Sequence, residues 1–295
     1  MLVRRILTGL TVSICWFLAM CYLPAICIFI ILLVMATLCQ REFYGMLSQS
    51  GRESDSRLGI FAGLIWLSIT YIYPPAVLSS LRIAYNPGMM LIGIFVFVLL
   101  ARVMFNQKVK DPVVRIGTTL LGFFYLPFML GYFIRLAQWG ADKHCEIPSC
   151  RSGIFLAAFV ALVVKLGDVG AFGFGTAFGK HKMCPRISPK KSWEGFCGGL
   201  LVSILAGLVT VSLARRYECI SGGPLEQLSF VKIVVLSLLL GVTGVLGDLF
   251  ESMFKRSAEI KDSAGLLPGG MGGILDMFDS LIFAPAALYW FLLLN

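Results

Sequence analysis

The sequence predicts an all-α, polytopic integral membrane protein with about nine transmembrane helices and a cytoplasmic N-terminus. Its composition sets the class: 58% of the 295 residues are hydrophobic and 14% charged, against roughly 25% charged residues in an ordinary soluble domain. The architecture follows from apolar stretches of about 20 residues, the length that crosses a bilayer as helix, which recur along the whole chain. The third observation is where the cations fall, because Lys and Arg resist translocation and collect on the cytoplasmic side.

In order, the predicted spans are 6–21, 23–40, 58–80, 88–105, 113–136, 153–174, 195–214, 228–252 and 273–293. The first follows Arg4 and Arg5 and resembles a secretory signal. It runs without a small-residue cleavage site into a second span through a tight hairpin at Leu23 and Pro24, so it reads as a retained anchor. The third span follows Arg52 and Arg57, and the fourth ends beside Arg102 ahead of Lys108 and Lys110. The fifth starts near Arg115, and the sixth holds Lys165 and Asp168 within its apolar run. The seventh follows a lysine-rich loop, and the eighth leads into a second polar segment that ends where the ninth begins. With the N-terminus inside, 17 of the 25 Lys and Arg residues fall on the cytoplasmic side and 7 on the other, with Lys165 left inside a span. Residues 1–150 then form an N-terminal bundle of about five helices, and 151–295 a C-terminal catalytic region with two cytoplasmic polar loops.

The net charge of +9 is largely cytoplasmic in this topology and suits anionic lipid headgroups or a polyphosphate. Nucleic acid is disfavoured, because the basic residues are dispersed over short loops without a reading module. Among the nine cysteines no CxxC pair suggests zinc, and Cys15, Cys21, Cys27 and Cys39 act as small apolar residues of the first spans. Cys145 and Cys150 share a predicted outer loop, which leaves a disulfide between them open. No low-complexity tract or inverted repeat is visible. Dimerisation through glycine-bearing spans is compatible with the sequence, although no specific interface pattern marks it.

Two cytoplasmic segments hold the chemistry. In the first, 165–199, Asp168 lies deep in an apolar helix one turn after Lys165. The two form either a structural ion pair or part of a site. The glycines at 170, 173, 175 and 179 permit close helix packing or close approach of backbone to a phosphate. The loop from Lys180 to Lys191, with Ser188 and two prolines that hold it extended, is a cytoplasmic anchor or a cover for an anionic ligand.

The second segment, 247–280, contains Asp248, Asp262, Asp276 and Asp279 with Lys255, Arg256 and Lys261 beside or between apolar runs, where ionised groups are costly unless paired, metal-bound or functional. On a helix, Asp248, Ser252, Lys255 and Arg256 share a face, as do Asp276 and Asp279. Between them Pro268 and four glycines break the helix. Two carboxylate-bearing helix ends joined by such a loop would clamp one or two hard cations, magnesium with phosphates being the natural choice. The alternative is an internal salt-bridge network with the three cations.

These residues resemble the signature of the phosphatidate cytidylyltransferases, or CDP-diacylglycerol synthases. The matching stretches are GDLFES from Gly247, SMFKR from Ser252, then Lys261 and Asp262, Pro268 and Gly269, and GGILD from Gly272 with Asp279 and Ser280. DVGAF from Asp168, FGKHK from Phe178 and ISPKKSWEG from Ile187 are similar to the family's other marked region. The chain departs at Met271 and Met277, which stand where the family has histidine and arginine, and at Val169 and Phe172, which replace hydroxyl-bearing residues.

The resemblance implies transfer of CMP from CTP to phosphatidate, giving CDP-diacylglycerol and pyrophosphate in phospholipid synthesis, with Mg2+ in a two-cation site. Asp248 and Asp276 would be the principal metal ligands and Asp279 would complete the site. Lys255 and Lys261 would act in catalysis. Asp168, Ser188, Lys190, Lys191, Ser252, Arg256 and Asp262 would contact substrate. A bacterial-type inner membrane with the site facing the cytoplasm is the implied location. Three other classes compete. A secondary transporter would use Asp168, Asp248 and Asp276 as ion sites. A CTP-dependent polyprenol or isoprenoid kinase would release CDP. A CDP-alcohol phosphotransferase lacks its DGxxAR core here.

Overall fold

The computed structural model describes residues 25–73, 86–139, 152–216, 223–258 and 273–295. The predicted span 6–21, the loop cysteines Cys145 and Cys150, and the signature residues Lys261, Asp262, Pro268 and Met271 lie outside them. The described chain is almost entirely helical. Its long helices are α1 (Ala25–Gln49), α2 (Ser56–Ile72), α3 (Pro87–Phe105) and α4 (Pro112–Phe123), which continues into α5 (Met129–Ala137). They are followed by α6 (Ser152–Phe178), α7 (Trp193–Arg216), α8 (Phe230–Ser257), the short α9 (Ile274–Phe278) and α10 (Ala284–Leu294).

Among the described residues seven helical stretches are long and apolar enough to cross a membrane, the joined Pro112–Ala137 and Ile274–Leu294 each counting as one. Within the predicted span 58–80 the described helix is α2, which ends at Ile72 and, at 17 residues, is shorter than these seven. Large apolar side chains point outward along these helices: Met89, Phe97 and Met104 on α3 are 69%, 72% and 71% exposed. Helices apolar on every face, with large side chains turned outward, are what a lipid solvent requires.

Local sequence explains where the helices start and bend. Asn86 accepts a hydrogen bond from Gly88 N at 2.9 Å and Asp111 one from Val114 N at 3.1 Å, each ahead of a proline at the first helical position, where the missing N–H costs nothing. Pro127 lies inside the π-helical turn Phe124–Phe128 that joins α4 to α5. A proline cannot complete the α-helical ladder, so the span accommodates it by a wider turn.

The lysine-rich loop is the clearest departure from expectation. It folds as an antiparallel hairpin of β1 (Lys182–Cys184) and β2 (Ser188–Ser192), pairing Lys182 with Ser192 and Cys184 with Ser188. At its base Ser192 Oγ accepts from Gly195 N at 3.2 Å and starts α7. Glu194 reaches back to the His181 backbone N–H and lies 2.6 Å from His181 Nδ1.

The described chain divides into two compact units. An N-terminal unit takes in Phe29–Arg135 together with the described parts of Phe254–Asp276, and a C-terminal unit the described parts of Leu136–Met253 with Met277–Asn295 and residues 25–28 at the start of α1. The N-terminal unit is aromatic at its core: Phe43 meets Phe254 edge-on at 5.3 Å, and Trp66 stacks on Phe128 at 4.9 Å. Buried Gln40 donates to the Gly59 carbonyl at 3.1 Å, and Tyr44 donates to that of Thr119 at 2.9 Å. The C-terminal unit is built on α6 against α7, where small residues bring the backbones together. A Cβ on Gly199 would lie 2.8 Å from that of Ala171, and Ser203 donates across to the Val163 carbonyl. Close approach through small residues is how membrane helices gain packing energy without a hydrophobic driving force.

Candidate active site

Within the C-terminal unit α8 delivers Asp248 and, one turn later, Glu251, while the 3₁₀ turn Asp279–Leu281 delivers Asp279. Their carboxylate oxygens lie within 4.8 Å of one another. Glu251 and Asp279 are buried and Asp248 is half-buried. The close approach of α8 to this turn depends on Gly247, where a Cβ would overlap the Asp279 carbonyl oxygen.

Two lysines frame the cluster. Lys191, at the end of the hairpin, places Nζ 2.8 Å from Asp248 Oδ2 and donates to the Val245 carbonyl at 3.3 Å. Lys165, on α6, donates to Ser280 Oγ at 2.8 Å and to the Met277 carbonyl at 3.0 Å, and lies 3.7 Å from Asp168 Oδ2. The Lys165–Asp168 pair predicted from the sequence is therefore present, but the shorter bonds of Lys165 go to the turn bearing Asp279. Ser252 Oγ, 3.4 Å from Asp248 Oδ1, extends the polar face of α8.

Three carboxylates at this spacing in an apolar surround repel strongly unless protonated or bound to a cation. Lys191 supplies one positive charge to Asp248. An all-oxygen donor set, two of its members buried, suits a hard divalent cation.

Asp276 lies in the N-terminal unit, where it forms an ion pair with buried Lys255. Its helix, α9, starts on a carboxylate: Glu42 of α1 accepts from the backbone N–H groups of Ile274 at 3.0 Å and Leu275 at 2.9 Å. Glu42 is buried, and two hydrogen bonds to its charge satisfy donors that would otherwise be orphaned at a helix N-terminus. The structure thus brings Asp248 and Asp279 together with Glu251 and pairs Asp276 with Lys255. Ser188 is half-buried, and Lys190 and Arg256 are exposed. Sequence reasoning missed two contributors, Glu251 and Glu42. Glu251 had a signal, since it is an acid three residues after Asp248 in an apolar helix. Glu42 had only its being an acid at the end of a predicted span.

The sequence profile of the cytidylyltransferase family matches residues 3–295. The chain belongs to the cytidylyltransferase family. Its similarity to the phosphatidate cytidylyltransferase of Bacillus subtilis is 30% identity over 245 residues, 82% of each chain. It is 35% identical to that of Haemophilus influenzae over 167 residues, 56% of this chain and 53% of the relative. To that of Chlamydia muridarum it is 33% identical over 186 residues, 62% and 57% of the two. The matched stretch thus spans about half the length of the Haemophilus and Chlamydia relatives and four fifths of the Bacillus one.

Proposed function

We propose that this protein transfers CMP from CTP to phosphatidate, forming CDP-diacylglycerol and pyrophosphate. The observation that supports the reading most directly is the convergence of Asp248, Glu251 and Asp279, with Lys191 against Asp248, in a family member that carries the family's charged signature. An oxygen of the phosphatidate phosphate forms the new bond to the α-phosphorus of CTP, the bond from that phosphorus to the bridging oxygen breaks, and pyrophosphate leaves. The attacking phosphate is already anionic near neutral pH, so no activated side-chain nucleophile is required. The demand is for positioning and for neutralising charge.

Asp248, Glu251 and Asp279 would hold Mg2+. A bound divalent cation supplies charge neutralisation on the triphosphate and the departing pyrophosphate. Whether Asp276 is a further ligand of a two-cation site, or serves to orient Lys255 toward phosphate, is separable by its magnesium dependence. Lys255, Arg256 and Lys261 would hold phosphates, with Asp262 beside them. Ser188, Lys190 and Lys191 of the hairpin would cover the nucleotide, Ser252 would support Asp248, and Asp168 would be neutralised by Lys165. We place the site on the cytoplasmic face of a bacterial-type inner membrane, the catalytic region in 151–295 and the membrane bundle in 1–150. A homodimer through the glycine-bearing spans is the remaining partner proposal, read from the mass of the detergent-solubilised protein.

The deciding experiment incubates purified protein with phosphatidate, magnesium and CTP labelled at the α-phosphate. Label in a liponucleotide with stoichiometric pyrophosphate is the expected result. Label released as CDP with a phosphorylated lipid alcohol would replace this reading by a CTP-dependent kinase, and ion-coupled uptake without CTP consumption would replace it by a transporter.

A further inference from the structure

The N-terminal unit contains a second concentration of charge, formed by residues outside the signature stretches. A cavity of about 600 Å³ is lined by Arg41, Arg52, Arg57, Lys108 and Arg115, with Glu53 as its one lining carboxylate. The five cations come from four places in the chain: α1, the loop before α2 and its first turn, the loop after α3, and the first turn of α4. Dispersed loop cations that merely anchor a membrane protein gain nothing by converging, and like charges gathered around one cavity repel. Neutralisation from within the protein is partial. Arg115 reaches Glu53 at 3.5 Å and Asp55 at 3.9 Å, yet its buried Nε has no hydrogen-bond partner. Arg52 donates to Ser257. Among the described residues no ion pair engages Arg41, Arg57 or Lys108.

Two further features suit an anion. The N-terminus of α2 faces this cavity through Ser56 and Arg57, and Asp55, in its capping position, makes no side-chain bond to the helix. Asp55 is turned instead to Arg102 at 3.0 Å, which leaves the positive end of the helix available. Serine hydroxyls of residues 48, 54 and 56 complete the lining. Guanidinium forks, hydroxyls and a helix N-terminus together are the donor set that recognises phosphate. The cavity lies at the ends of apolar helices, and nearby Met104, Phe105 and Val113 are 71%, 77% and 79% exposed, the exposure of a lipid-facing surface. We propose that this cavity is a second binding site, separate from the acidic cluster, for the phosphate headgroup of an anionic phospholipid.

The test uses the full chain, delipidated in detergent and titrated with phosphatidate, phosphatidylglycerol and phosphatidylcholine, with bound lipid counted by native mass spectrometry. Arg57→Ala combined with Lys108→Ala removes two cations that hold no ion pair, so folding is retained. The double variant should bind one anionic lipid fewer, or bind it roughly tenfold more weakly for the loss of charge-assisted contacts, with phosphatidylcholine unaffected. Lys110→Ala, which removes an exposed cation outside the lining, should change nothing. Equal binding by wild type and double variant overturns the proposal, as does an equal loss in Lys110→Ala, which would mean diffuse surface attraction. Inorganic phosphate or CTP displacing the lipid at micromolar concentration would assign the cavity to a soluble anion instead and likewise overturn it.

Discussion

Asp279 and Glu251 place two buried carboxylates beside Asp248, so the single-residue chemistry is testable by removing charge without changing shape. Asp248→Asn and Asp279→Asn should each lower magnesium-dependent turnover roughly 100-fold or more, the scale of losing a metal ligand or its immediate support, while the protein stays monodisperse in detergent. Glu251→Gln should lower it less and regain rate as magnesium is raised. Full turnover in all three variants would remove the metal assignment. Asp276→Asn separates two roles. If Asp276 ligates magnesium, the concentration required for half-maximal rate rises several-fold. If it orients Lys255, that concentration is unchanged and the KM for a phosphate substrate rises instead. Asp248 and Asp279 stood out in the sequence because an ionised group among apolar residues is conspicuous. Glu251 carried the same signal, an acid in an apolar run, but its convergence with Asp279 appears only in the folded chain, and the ion pair between Lys255 and Asp276 joins segments 21 residues apart.

At the scale of elements, the acidic cluster is held by backbone proximity. Gly247 lets α8 approach the Asp279 turn, and Lys165 clamps that turn from α6. Gly247→Ala should therefore push Asp279 away from Asp248. We expect turnover to fall at least tenfold with a stability loss of about 1–3 kcal/mol, the cost of overpacking a tight contact, read as the midpoint of thermal inactivation in detergent. Unchanged turnover would show that the turn relaxes at no functional cost. Helix positions were legible in the sequence because a run of apolar residues needs no partner to be recognised; α3, α6 and α7 fall within a few residues of their predicted bounds. The β1–β2 hairpin was not, since its lysines and prolines carry no alternating pattern and its register is fixed by Ser192 capping α7 and by Lys191 reaching Asp248. The helix start of α9 was equally hidden, because its cap, Glu42, is more than 200 residues away in the chain.

Among the described residues, the number of crossings beyond the seven depends on α2. At 17 residues it is about 26 Å long at 1.5 Å per residue, slightly short of a hydrocarbon core of roughly 30 Å. If α2 failed to cross, every later segment would change sides, and the Lys and Arg outside Lys165 would divide twelve against twelve in place of 17 against 7. The positive-inside asymmetry exists only if it crosses. Arg57 at the start of α2 and Lys108 just beyond α3 line one space, as they do when α2 and α3 run antiparallel. A short span is accommodated by local thinning of the bilayer and by flanking side chains that reach the interface. Crossing by α2 with nine spans puts the two chain termini on opposite faces. A compartment-sensitive reporter fused after Asn295 should therefore read as extracytoplasmic and one fused before Met1 as cytoplasmic, with an impermeant thiol reagent labelling a cysteine placed at Lys182 only from the cytoplasmic side. Both reporters on the same face would mean an even number of crossings and would overturn the nine-span reading.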